Sequence, residues 1–161
     1  LNTEGKIVLN KEVFDVTGFS WMDREWSTSA LSEDQAGWDW FALQFGDSSE
    51  IMYYQMRKMD GTPDAYSKGI MVDKNGSYKL IKRDHVYLEV TDYWESPSGV
   101  EYPSGWKLDI PDENIKLEIF PAVKNQFMDV SISYWEGAVI IKGERNQKSI
   151  NGRGYVELTG Y

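Results

Sequence analysis

The chain has no cysteine and one histidine, His85. Without cysteine there is no thiolate nucleophile, no disulfide and no thiolate metal site. Absent disulfides do not fix the compartment, because 161 residues can build a core without them. With one imidazole, a multi-histidine zinc or iron site is excluded, and any serine triad would depend on His85 alone. No Gly-Xaa-Ser-Xaa-Gly elbow and no phosphate-cradling glycine loop occurs. Long apolar runs are missing too: nothing approaches the ~20 residues of a membrane-spanning helix. No signal-peptide pattern is visible, and the chain opens Leu1-Asn2-Thr3 without an initiator Met, the expectation for a chain that has been processed or cut from something longer. Basic residues are outnumbered, 17 against 26 acidic, for a formal charge of -9. Nucleic acid needs a positive footprint, and anionic membranes attract basic segments, so neither is an expected partner. The charge reads as solubility.

What the chain has is period-two alternation rich in aromatic and β-branched residues, punctuated by turn residues about every eight to a dozen positions. That pattern predicts a barrel or sandwich, all-β with little helix. Expected strands cover residues 6–9, 13–17, 19–26, 37–45, 50–58, 67–72, 77–82, 86–93, 106–110, 115–122, 128–133, 137–143 and 154–160. Asn75-Gly76 is a two-residue hairpin signal, since both residues tolerate the positive φ of a type I′ turn. Asp60-Gly61 and Asn151-Gly152 are further candidates, and a helical turn or two is expected only within residues 29–35. No linker, repeat or low-complexity tract interrupts the chain, so residues 1–161 read as one domain.

Several strands are apolar on both faces. Trp38, Trp40 and Ala42 point one way while Phe41, Leu43 and Phe45 point the other, and Met52, Tyr54 and Met56 alternate with Ile51 and Tyr53. A single-walled barrel needs only its interior apolar. A second domain or subunit covering the outside is therefore expected, against ordinary surface aromatics as the bland reading.

The most unusual stretch is Trp21-Met22-Asp23-Arg24-Glu25-Trp26. In a strand, Asp23 and Glu25 would share a face with Trp21, about 6.6–6.8 Å apart along the axis. Beside indoles, one carboxylate can be kept protonated by desolvation while the other stays ionised. The competing reading is a solvated face with Arg24 in a cross-strand salt bridge. Glu136, Glu157, Gln55, Arg57 and Asp39 are further polar residues embedded in apolar strands, each a pocket group or a core hydrogen-bond partner.

These residues carry a resemblance. Trp21-Met22-Asp23-Arg24-Glu25-Trp26, Gly37-Trp38-Asp39-Trp40-Phe41-Ala42-Leu43-Gln44, Tyr134-Trp135-Glu136-Gly137-Ala138 and Gly154-Tyr155-Val156-Glu157-Leu158-Thr159-Gly160-Tyr161 are similar to stretches of the carotenoid 1,2-hydratase and AttH-like family. They occur in the family's order and span nearly the whole chain. The resemblance implies a lipocalin-like antiparallel β-barrel, the second of two consecutive barrels in a chain about twice as long. It also implies a greasy substrate in an aromatic cavity, no cofactor and no metal, in proteins often secreted or periplasmic. Members include hydratases, which add water across a terminal double bond, and pericyclase-like isomerases.

On that basis Asp23 and Glu25 are the candidate acid and base. Trp21, Trp38, Trp40, Tyr53, Gln55, Trp135 and Glu136 are the candidate ligand-binding residues. Indoles facing a developing cation stabilise it, and acid–base help contributes about 10²–10⁴-fold. A binding module for one small terpenoid, polyene or lipid-like molecule needs no catalytic group. A structural half-domain that docks on a second lipocalin-like domain or forms a homodimer is the third reading.

Overall fold

In the computed structural model, residues 1–24, 31–130 and 133–161 are described. They fall into two compact units, Leu1–Ala30 and Leu31–Tyr161. The first carries strands β1 (Asn2–Leu9) and β2 (Glu12–Phe19), joined at Asn10 and Lys11, both at positive φ. Its ladder closes with Ser20 N donating to Leu1 O at 2.9 Å, and residues 20–24 are not strand. β2 therefore ends at Phe19, residues 20–24 of the strand expected over 19–26 are not strand, and its residues 25 and 26 lie outside the described residues. In this ribbon Ile7, Leu9, Phe14 and Val16 share one face, while Lys6 and Asp15 pair across the other at 3.1 Å.

The second unit is nearly all strand: β3 (Gln35–Phe45), β4 (Glu50–Lys58), β5 (Lys68–Val72), β6 (Tyr78–Lys82), β7 (Tyr87–Glu95), β8 (Glu101–Ile110), β9 (Ile115–Pro121), β10 (Phe127–Asp129), β11 (Ser133–Arg145) and β12 (Lys148–Thr159). Among the described residues its helix is confined to 3-10 turns at Arg83–His85 and Pro111–Glu113. The antiparallel sheet runs β6-β5-β4-β3-β12-β11-β9-β8-β7, with β10 paired to β11. It is lipocalin-like, a single sheet curled around its own core, and its path ends at β6 and β7.

Curling needs strands that approach closely, and glycine supplies this on β12. A Cβ at Gly152 would lie 2.3 Å from the Gln44 carbonyl oxygen, and one at Gly154 2.4 Å from that of Ala42. Side chains there would push β3 away from β12. On the inner face Phe41, Leu43, Ile51, Tyr53, Trp106, Leu108, Leu117, Ile119, Trp135, Ile141, Val156 and Leu158 form one buried cluster. The alternation read from sequence thus holds on β3 and β4.

Turn chemistry departs from expectation at two places. Asn151 and Gly152 lie inside β12, and the β11–β12 turn is made by Asn146 and Gln147, both at positive φ. Asn75-Gly76 is part of a longer loop, in which Gly76 N donates to Asp73 O and only Gly76 adopts positive φ. A second asparagine-led pair supplied the left-handed residues that β11–β12 required, and Asp73 set the other loop's hydrogen bonding. Of the helical turn expected within 29–35, residues 29 and 30 lie outside the described residues; in the rest, Gln35 N donates to Ser32 O at 3.1 Å and β3 starts at Gln35.

Candidate functional site

The inner face of the curled sheet ends in a polar cluster. Asp39 lies between two tryptophans in sequence, but alternation turns it inward while they face out. Opposite β3, Arg57 on β4 donates Nε to Asp39 Oδ1 at 2.9 Å. The hydroxyl of Tyr161 donates to the same oxygen at 2.8 Å, and the Arg57 guanidinium stacks 3.8 Å from the Tyr161 ring centre. Arg57 also donates Nη2 to the carbonyl of Thr159 and Nη1 to that of Gly160, the latter at 3.4 Å.

Exposure grades across the cluster. The side chain of Asp39 is 3% exposed and that of Arg57 13%, while Tyr161 keeps 38% of its surface in solvent. The cluster therefore sits at the rim, with the acid on the inner side. Aromatic rings continue that rim: Tyr102 lies 5.5 Å from Tyr161 and 5.7 Å from Phe127, and Trp94 lies 6.4 Å from Phe127. Further in, Trp106 meets Phe41 edge-on at 5.7 Å and Trp135 at 5.9 Å. Trp135 gives its Nε1–H to the Lys124 carbonyl at 2.8 Å.

Burial pushes the Asp39 carboxyl above its ordinary value, while the Arg57 charge and the Tyr161 hydroxyl pull it back. The Tyr161 hydroxyl is held well above the usual phenol range by burial and by the Asp39 charge, and burial pushes Tyr53 up to about 12. A raised carboxyl means the folded state keeps its proton longer than the unfolded chain. Its contribution is full below the unfolded value and declines as pH rises through the folded one. The stability of the wild type minus that of Asp39→Asn is thus expected to fall as pH climbs from the ordinary carboxylate range. Urea melts of the two proteins across that range check it, and a difference that grew with pH would refute the raised carboxyl.

The outer face carries a second constellation. Glu136 on β11 and Glu157 on β12 are directly opposite cross-strand partners. Like charges placed so repel, and each is held by an aromatic donor: Trp38 Nε1 to Glu157 Oε1 at 2.8 Å, and the Tyr155 hydroxyl to Glu136 Oε1 at 2.9 Å. Burial and the bond to Glu136 push Tyr155 up to about 12. Trp40 is the ladder partner of both Glu157 and Tyr54.

The ligand residues expected from sequence are thus distributed over two faces and two units. Tyr53, Gln55 and Trp135 lie on the inner face; Trp38, Trp40 and Glu136 lie on the outer. Trp21 and Asp23 belong to the hairpin unit, where Asp23 is exposed and outside any strand. Glu25 itself lies outside the described residues. Among the described residues, no group of three or more His, Asp or Glu side chains is placed to hold a metal. Sequence reading took Asp39 and Arg57 only as pocket groups or core hydrogen-bond partners, left Tyr161 out of the candidate site and passed over Trp106 and Tyr102. The available signal was Asp39 on an apolar strand, with Arg57 sharing the parity of Tyr53 and Gln55 on the next.

Curled sheet, aromatic interior and a polar rim define a lipocalin-like all-β protein. The AttH-like family profile matches residues 1–161, and the chain belongs to that family. Kievitone hydratase of Fusarium solani subsp. phaseoli is 22% identical over 160 residues, 98% of this chain and 44% of the relative. Among solved structures, a candidate AttH from Nitrosomonas europaea superposes with a TM-score of 0.88 at 32% identity, over 99% of this chain and 49% of that one. Kievitone hydratase from Nectria haematococca shares the fold, with a TM-score of 0.81 at 20% identity over 98% and 49%. The chain spans about half the length of the relatives it matches.

Proposed function

We propose that this chain holds a small apolar molecule against the aromatic inner face, and that Asp39, Arg57 and Tyr161 form the polar pole for cofactor-free, hydratase-type acid–base chemistry. The observation that carries the reading is the buried Asp39 acid, held by Arg57 and the Tyr161 hydroxyl at the rim of an otherwise apolar, ring-lined interior. Apolar walls with a few convergent polar groups and a shifted carboxyl are the general signature of a small-molecule site. Hydration places a proton on one carbon of a double bond and the hydroxyl of water on the other. Asp39 is the group that exchanges the proton; Arg57 and Tyr161 hold its carboxyl in place, and the inner rings face any positive charge that develops. The similarity to two kievitone hydratases supports this class of chemistry for the whole protein.

The probe is β-ionone, a small conjugated ketone. Saturable quenching of tryptophan fluorescence is expected, with dissociation in the micromolar range, about 8 kcal/mol of binding. A panel of polyenes and prenylated phenols, followed by mass spectrometry for gain or loss of one water, tests the reaction. Asp39→Asn is expected to keep probe binding and lose turnover. Absence of any saturable quenching refutes the binding, and full turnover in Asp39→Asn refutes the role of the acid.

A separate observation favours a second reading, the half-domain that packs on another lipocalin-like barrel. The outer face presents Trp38, Trp40, Tyr54 and Tyr155 around paired carboxylates, and relatives are about twice as long. Sedimentation over a concentration series tests it: self-association or capture of a separately expressed partner half supports it, and a strict monomer indifferent to that half counts against it.

A further inference from the structure

We infer that the molecule taken by the inner face carries an oxygen acceptor on its apolar skeleton, a ketone or ether, and that the indole of Trp106 selects for it. This rests on the inner-face binding reading given above and adds the ligand's chemical class.

Trp106 is 1% exposed, and its Nε1 is buried with no hydrogen-bond partner among the described residues. Two other indoles show the contrast: Trp135 gives its N–H to a backbone carbonyl and Trp38 gives its own to a carboxylate. An indole nitrogen is a donor only. Burying it without an acceptor forfeits the hydrogen bond it had in water, and ordinary cores avoid this by pairing or by using Phe. Here the orphan donor lies among rings, with Phe41 and Trp135 beside it.

The neighbouring strand gives a way in. Trp106 is paired with Val90 of β7, and the β7–β8 ladder loses register directly afterwards, between Val90 and Asp92 and again between Asp92 and Tyr93. Gly105 faces that irregularity, where a Cβ would lie 2.9 Å from Thr91 Oγ1. β7 also ends the sheet's path, with no ladder joining it to β6 among the described residues. A broken ladder on an edge strand opens at less cost than one inside the sheet. The yielding edge and the unpaired donor thus meet at one residue.

The chemistry narrows the ligand. A hydrocarbon fills apolar volume but leaves the N–H unpaired. A carboxylate would bring a second negative charge into an interior that already holds Asp39, where Arg57 is engaged by that acid and by two carbonyls. A neutral carbonyl or ether oxygen satisfies the donor without a second buried charge.

Two probes of equal shape test this, 2-acetonaphthone and 2-isopropylnaphthalene, measured by equilibrium dialysis against the full chain. The wild type is expected to favour the ketone by about tenfold. Trp106→Phe is expected to lose that preference, its ketone-to-hydrocarbon affinity ratio falling to about one. Nitrogen-15 NMR needs no variant: the Trp106 Nε1–H resonance is expected to move downfield with the ketone and not with the hydrocarbon. Equal affinity of the wild type for both probes, or a preference that survives Trp106→Phe with a still indole resonance, overturns the inference while leaving inner-face binding intact. If neither probe binds the wild type, the inner-face reading itself fails, and this inference with it.

Discussion

Replacing Arg57 by Ala is expected to lower the unfolding free energy by about 3–5 kcal/mol, because it leaves a buried carboxylate without its cation. Asp39 would keep one donor, the Tyr161 hydroxyl. The carbonyls of Thr159 and Gly160 would lose the guanidinium as well. A domain with about 5–15 kcal/mol in hand would give up a third or more of it. The loss should shrink in acid, where Asp39 neutralises itself by taking a proton. Adding Asp39→Asn to the Arg57→Ala protein should recover part of the loss, since the uncompensated charge is then gone. Urea unfolding of the two single variants and the double variant measures the coupling. Strictly additive losses would mean that Asp39 and Arg57 do not depend on each other.

Trp135→Ala is expected to cost a comparable 3–5 kcal/mol, for a different reason. The ring is fully buried, packs 5.9 Å from Trp106, and satisfies the Lys124 carbonyl through Nε1. Its removal opens a large void in the cluster and deprives that carbonyl of its donor at once. Trp135→Phe keeps one aromatic ring, and so opens a smaller void while still losing the N–H; a smaller loss than that of Trp135→Ala is expected there. Thermal unfolding followed by near-ultraviolet circular dichroism reads both. A Trp135→Ala protein as stable as the wild type would place the ring outside the core.

Much of the fold was legible because strand alternation is a local property. Residues 37–45 and 50–58 read correctly as strands apolar on both faces, and they are β3 and β4 with a buried inner and a half-buried outer row. What pairing and register decide could not be read in the same way. The opposition of Glu136 and Glu157 depends on a turn at Asn146 and Gln147, whereas the stronger local turn signal, Asn151-Gly152, sits within β12. A run such as Trp21 to Arg24 has strand composition, yet a strand also needs a neighbour, and the hairpin ladder closes at Leu1 and Ser20.

The candidate site shows the same division. That Asp39 opposes its flanking tryptophans followed from parity alone. Its contact with Arg57 required the β3–β4 register, including the irregularity between Gln35 and Gly37. That Tyr161 closes over both required the end of β12 to lie beside them. Tyr53, Gln55 and Trp135 could be chosen as aromatic or polar residues in apolar strands. Their separation from Trp38, Trp40 and Glu136 became visible only with the sheet's curl.

Methyl-labelled NMR of the chain titrated with β-ionone decides between an occupied interior and an inert core. If the inner face takes the molecule, the methyl signals of Ile119, Val156 and Leu158, all buried there, should shift saturably while that of the exposed, outward-facing Ile140 stays still. Shifts confined to Ile140, or no shifts at all at saturating probe, would show that the curled sheet encloses only its own side chains.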